Sequence, residues 1–165
     1  NGDTIRELLH YTDGKFASVP ALEPDRRSFR KLNEWASANI TGDVTLVQAG
    51  AWNEDTVKCF TDQAGRQSRV AGQGKETQMR ALDSVLSGRP CTYLKMDVEG
   101  AEREAIAGAE KTIRQYAPKL NIAAYHRSED FFQLPLLIHA LQPSYRLYLR
   151  HHPYVPAWDT NLYAI

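Results

Sequence analysis

Tyr93-Leu94-Lys95-Met96-Asp97-Val98-Glu99-Gly100-Ala101-Glu102 begins as a short apolar strand and ends in the first turn of a helix, with acidic side chains crowding the junction. A strand buried on both faces is expected to be nearly all apolar. This one carries Lys95 and Asp97 two residues apart, so both side chains point to one face. Burying either charge is costly unless it is paired or used. In open α/β sheets ligands bind beyond the carboxyl ends of the strands. Asp97 falls there, and Glu99 follows it into the turn. Gly100 lets the chain enter the next helix at close quarters. A plainer reading of the same residues is a structural ion pair between Lys95 and Asp97, with Glu99 and Glu102 as acids favoured by the helix dipole.

Downstream of this stretch, a helix is predicted from Gly100 to about Tyr116, with Ile106, Ala109, Ile113 and Tyr116 inward. Glu99/Arg103 and Glu110/Arg114 support it at i,i+4 spacing, and Pro118 stops it. Lys119 to Tyr125 reads as the next strand, ending in His126. A helix follows from about Ser128 to Leu141, distorted by Pro135. Tyr145 to Leu149 is a strand ending in Arg150-His151-His152, and Asp159 or Thr160 to Ile165 is the last strand. The short turn between these two, with Pro153 and Pro156, makes them antiparallel.

Upstream, residues 3 to 10 read as a short helix with Ile5, Leu8 and Leu9 on one side and Asp3 or Thr4 as cap. Ala17 to Leu22 is a strand ending in Glu23-Pro24-Asp25. The helix behind it runs to about Asn39 on an inner stripe of Phe29, Leu32, Trp35 or Ala36, and Ile40. Glu23 either helps that helix dipole or accepts the two hydroxyls of a ribose. Val44 to Ala49 is a third strand, followed by Gly50-Ala51-Trp52-Asn53, where small residues let a flat ring approach the backbone. Asp55 to Phe60 and Arg66 to Ala71 read as a hairpin. The alternation predicts an α/β fold, a mostly parallel sheet with an antiparallel carboxyl-terminal hairpin and helices on both faces.

The 165 residues read as a single domain, residues 1–165, with 42% hydrophobic and 24% charged residues. A formal net charge of zero argues against a nucleic-acid partner, which would call for a basic excess. Cys59 and Cys91 form no CxxC pair and read as reduced buried thiols, so neither a disulfide framework nor a zinc site is indicated. No run approaches a membrane span and no signal peptide is visible, which gives a cytoplasmic reading.

Lys95-Met96-Asp97-Val98-Glu99-Gly100-Ala101-Glu102 closely resembles the signature of the FkbM family of S-adenosylmethionine-dependent methyltransferases, commonly Lys-Ile-Asp-Val-Glu-Gly-Ala-Glu. Ala21-Leu22-Glu23-Pro24-Asp25 is similar to the family's second motif, and Ala51-Trp52 to a pair found after its third strand. Leu82-Asp83-Ser84-Val85-Leu86 matches loosely the segment that ends an inserted hairpin. Arg150-His151-His152 resembles a Leu-Arg-His-His run, which implies one wall of an acceptor pocket. Gly2-Asp3-Thr4 matches only the last three residues of a first motif like Asp-Val-Gly-Ala-x-x-Gly-Asp-Thr. No strand precedes the first helix, so the chain reads as a class I methyltransferase, Rossmann-like sheet lacking its first strand. The gap calls for upstream residues or a neighbouring copy in a homo-oligomer.

The resemblance implies O-methylation of a hydroxyl on a sugar or small natural product, with S-adenosylmethionine as cofactor. Gly2, Asp3, Glu23, Ala51 and Trp52 would line the cofactor site. Asp97, Glu99 and His126 would face the reaction centre, with His126 the first candidate for a base because imidazole titrates near neutrality. A lone histidine at a strand end is also a common structural feature. Asp97, Glu99 and His126 are ligands of the kind that suit Mg²⁺ or Mn²⁺. The two acids flank a turn and are expected to diverge, so no metal is assigned. The competing readings are a non-catalytic binding module of the same fold and an NAD-dependent oxidoreductase. The antiparallel final pair of strands speaks against the latter.

Overall fold

The computed structural model describes residues 2–60, 75–153 and 159–165. Fifteen elements follow in the order α1 (Asp3–Thr12), β1 (Val19–Leu22), α2 (Arg26–Asn39), β2 (Val44–Val47), β3 (Gly50–Ala51), β4 (Thr56–Phe60), β5 (Lys75–Arg80), α3 (Leu82–Leu86), β6 (Tyr93–Met96), α4 (Glu102–Ala107), α5 (Glu110–Tyr116), β7 (Lys119–Ala123), α6 (Asp130–Leu141), β8 (Leu147–His151) and β9 (Thr160–Ala164).

Among the described residues the strands form three sheets, ordered β1-β2, β3-β5-β4 and β6-β7-β9-β8. β1 with β2, β3 with β5, and β6 with β7 run parallel; β4 with β5, β7 with β9, and β8 with β9 run antiparallel. The architecture is thus α/β, and the expectation of a mostly parallel sheet is met in part: among the described ladders three are parallel and three antiparallel. The expected antiparallel pair at the carboxyl terminus is present, and β9 inserts between β7 and β8, so β7 carries one parallel and one antiparallel ladder and β9 carries two antiparallel ones. Crossover helices join two of the parallel pairs, α2 between β1 and β2 and α4 with α5 between β6 and β7, because two parallel strands cannot be joined by a tight turn, whereas the chain runs from β3 to β5 by way of β4.

The four-stranded sheet carries the core on one face. Leu94, Met96, Leu120, Ile122, Leu162 and Ala164 alternate inward and join Ile106, Ile113, Leu134 and Ile138 of the covering helices. The opposite face presents Tyr93, Lys95 and Asn121, with Asn121 Nδ2 donating to the Tyr93 hydroxyl at 3.2 Å. Helix α1 reaches that face where Glu7 lies 3.8 Å from Lys95. The partner of Lys95 is therefore Glu7 rather than Asp97.

Local expectations meet the following outcomes. The strand pairing with β4 is Lys75–Arg80, whereas the expected strand from Arg66 to Ala71 lies outside the described residues. The helix predicted from Gly100 to Tyr116 is two helices, α4 and α5, broken at Gly108 and Ala109. A β-carbon on Gly108 would stand 1.9 Å from the Trp52 carbonyl oxygen, so the backbone of one segment rests directly on the other. Glu99 lies in the turn before α4 and makes no i,i+4 pair: Arg103 donates to Gln133 at 2.8 Å instead, while the Arg114–Glu110 pair forms as expected at 2.8 Å. Helix α1 starts on Gly2 in the left-handed region with no side-chain cap, so neither Asp3 nor Thr4 caps it. Asp25 does cap α2, accepting from the Ser28 amide at 2.8 Å.

Candidate active site

The site grows from the ends of β6 and β7, which are adjacent and parallel. Past Met96 the chain turns sharply, with Glu99 at φ 55° and Gly100 at φ 93°. A side chain on Gly100 would be strained by that φ and would come within 3.3 Å of Arg127 Nε. Glu99 is a non-glycine residue held in the left-handed region, and its side chain is brought back over the end of β7.

There Asp97, Glu99 and His126 converge. His126 Nε2 lies 3.4 Å from Asp97 Oδ1 and 3.4 Å from Glu99 Oε2. The three ligand atoms all fall within 4.8 Å of one another, so the divergence expected of the two acids does not occur. The Tyr125 hydroxyl donates to the Asp97 carboxylate at 3.2–3.3 Å and fixes its rotamer. Burial, then the charge of Asp97, pushes the Tyr125 phenol well above its ordinary value, so Tyr125 stays a proton donor.

The residue missed by sequence reasoning is Glu102. It opens α4, is 1% exposed, and places Oε1 2.9 Å from His126 Nδ1. The same oxygen accepts from the Val98 amide at 3.1 Å. A buried carboxylate on Nδ1 makes that nitrogen the protonated one and turns Nε2 toward Asp97 and Glu99. Burial opposes charging of His126, but the bond to Glu102 and the charges of Glu102, Asp97 and Glu99 outweigh it, and the pKa is raised. Asp130, also 1% exposed, is near enough to Glu102 to feel its charge. Burial first and the Glu102 charge second raise its pKa. The last acid of the Asp97–Glu102 run was legible as a first-turn residue; its burial was not.

The proposed cofactor residues fall elsewhere in the fold. Glu23 ends β1, its amide donating to Val47 of the neighbouring strand at 3.1 Å and its Oε1 accepting from the Asp25 amide at 3.0 Å. A β-carbon on Gly50 would touch Pro24 at 3.8 Å, so Gly50-Ala51 adjoins the end of β1. Ala51 is buried and Trp52 half-buried, with Lys58 Nζ 5.4 Å from the Trp52 ring. Gly2 packs on Leu32 and Trp35 of α2, and Asp3 is exposed. A groove of about 490 Å³ opens beside this end of the molecule, lined by Arg26, Arg27, Arg30, Asn33 and Gln48 among others. Arg150, His151 and His152 lie at the exposed end of β8. His151 meets Thr160 at 3.1 Å and His152 meets Tyr163 at 3.1 Å, so both histidines are engaged across the ladder.

An α/β domain with acids at the carboxyl ends of parallel strands and an antiparallel final pair is the form of a methyltransferase, and the comparisons make the assignment specific. Residues 3–156 match the methyltransferase FkbM domain, and the chain belongs to that family. It is similar to the crystal structure of methyltransferase FkbM from Methylobacillus flagellatus KT, at 32% identity and a TM-score of 0.81. The similarity covers 99% of this chain and 40% of that one, so the chain spans well under half the length of its solved relative. No curated protein matches it. Among the described residues, no helix is long and apolar enough to cross a membrane.

Proposed function

We propose that the protein transfers a methyl group from S-adenosylmethionine to a hydroxyl on a sugar or small natural product, in the cytoplasm. The observation that carries the reading is the convergence of Asp97, Glu99 and His126 at the ends of β6 and β7 over the buried Glu102, in a chain of the FkbM methyltransferase family.

The residues present fit the cofactor. Glu23 has a second carboxylate oxygen beyond the one engaged with Asp25, suited to a ribose hydroxyl. The first amides of α1, uncapped by any side chain, suit the carboxylate of an amino acid. Ala51 and Trp52 offer a small residue and an aromatic wall for a base. When bound, S-adenosylmethionine supplies a methyl group already activated on a sulfonium. The remaining task of the chain is alignment and removal of one proton. With Nδ1 held by Glu102, His126 Nε2 is positioned to take the acceptor's proton, and the carboxylates of Asp97 and Glu99 stabilise the imidazolium that results.

Titration calorimetry with S-adenosylhomocysteine tests the reading. Micromolar binding that weakens at least tenfold in Glu23→Ala is expected. Absence of binding to protein shown to be folded would instead favour a non-catalytic module of the same fold.

A further inference from the structure

We infer that Asp97, Glu99 and His126 form a binding site for a divalent first-row cation of the Mn²⁺ or Zn²⁺ kind. His126 Nε2 stands 3.4 Å from one oxygen of each acid. Metal–ligand bonds of about 2.0–2.2 Å place neighbouring ligand atoms about 3–3.5 Å apart; both spacings to His126 fall in that range, and all three ligand atoms lie within 4.8 Å of one another. A charge-assisted hydrogen bond from an imidazolium would draw a carboxylate to about 2.7–2.9 Å. Neither Asp97 nor Glu99 is that close, while Glu102, on the other ring nitrogen, is at 2.9 Å.

The support around the three groups is what a built metal site requires. The imidazole side chain is only 10% exposed, and its Nδ1 is committed to a carboxylate that is 1% exposed. This carboxylate–imidazole pairing fixes the ring and raises the basicity of the outward nitrogen, as it does for metal-ligating histidines. Asp97 is oriented by Tyr125 from outside the cluster. Asp97 and Glu99 are about half exposed, at 48% and 51%, which leaves an open side for water or a substrate oxygen. Two carboxylates and one imidazole suit Mn²⁺ or Zn²⁺ better than Ca²⁺, which takes oxygen ligands throughout.

The cation site stands on this geometry alone; its chemical use rests on the methyltransferase reading. An acceptor hydroxyl entering the open side would be acidified by coordination and lose its proton to solvent. The resulting alkoxide would attack the methyl carbon as the carbon–sulfur bond breaks and the sulfur keeps the electron pair. In the loaded protein His126 is then a ligand, and base catalysis by His126 belongs to the cation-free form.

The test titrates MnCl₂ alone into tag-free protein, following binding by the loss of free Mn²⁺ signal in electron paramagnetic resonance. One ion per chain is expected, with affinity at least tenfold weaker in Asp97→Asn and in His126→Ala and unchanged in Asp13→Asn, an exposed acid elsewhere. In the unmutated protein, Mn²⁺ should broaden the amide resonances of Val98, Gly100 and Arg127 before others, which keeps the test valid if a variant fails to fold. Absence of saturable binding at millimolar Mn²⁺, equal affinity in the variants, or broadening centred elsewhere would overturn the site and leave a proton alone between the three groups. S-adenosylhomocysteine binding on the same sample separates the two claims. Cofactor binding without Mn²⁺ binding sinks the cation site only, and the reverse sinks the methyltransferase reading only.

Discussion

The two ends of this chain hold their strands in different ways. In β6, β7 and β9 alternate residues are almost fully enclosed, Ile122 at 0%, Leu120 at 1% and Leu162 at 1% exposure. In β1 and β2 no residue is fully buried. Asp97 and His126 therefore project from a close-packed frame, and Glu23 projects from a two-stranded sheet with half-buried sides. Dense packing permits few alternative positions, and a group that must meet a reacting atom gains from that. A residue that holds a nucleotide can be ordered by its ligand. The difference suggests rigid reaction chemistry beside a more yielding cofactor end.

The sharpest way to break this comparison is to split binding from turnover. Asp97→Asn is expected to lower methyl transfer by about 10²-fold or more while S-adenosylhomocysteine affinity changes little. Glu23→Ala should do the reverse, weakening cofactor binding first. Single-turnover assays with calorimetry check both; equal losses in the two quantities would dissolve the division.

Stability should follow the same line. Ile122→Ala is expected to cost about 2–5 kcal/mol, and Leu22→Ala about 1 kcal/mol because less of its side chain leaves water. Urea unfolding of both variants measures the gap, and similar values would mean that the two sheets are equally well packed. Gly108→Ala comes next, at about 1–3 kcal/mol, since its new methyl collides with the Trp52 carbonyl. It should also weaken cofactor binding if Trp52 belongs to that site, whereas Ala107→Ser on the exposed side of α4 should do neither.

The smallest effect concerns Asp55, which joins the start of β4 to the end of β5. The Ala81 amide first, and Arg80 second, hold its carboxyl below its ordinary value. A lowered folded-state pKa contributes stability that is complete above the unfolded pKa and is lost as pH falls through the folded one. The urea midpoint should therefore drop on acidification below about pH 4–5, and Asp55→Asn should flatten that drop. An unchanged pH profile in the variant would show that Asp55 contributes nothing to it.

Much of the molecule was legible in local patterns. The alternation of Leu94 and Met96 with Tyr93 and Lys95 sets the faces of β6, and the acids after it mark a strand end. Pro24 marks the start of the helix that runs to Asn39, and the short link between β8 and β9 dictates an antiparallel pair. The resemblance of the Lys95–Glu102 run to the FkbM signature gave the family. These are determined by sequence because backbone period, capping and turn chemistry act over a few residues.

The rest belongs to tertiary structure, where distant atoms meet. Nothing local to Gly108 says that a carbonyl from Trp52 rests on it and divides one predicted helix into two. Lys95 looked like a partner for Asp97 until Glu7 of α1 reached it. β9 inserts between β7 and β8 by long-range pairing, a strand order that the antiparallel link from β8 to β9 did not dictate. Glu102 read as a helix-turn acid, and only the packing of α4 against the end of β7 buried it beneath His126. The return of Glu99 onto the same imidazole depends on a left-handed turn that Gly100 permits but does not dictate. Residue types along the chain thus determined which chemistry was available. Burial and convergence decided where it is assembled, because the energy of a charge depends on what surrounds it in space.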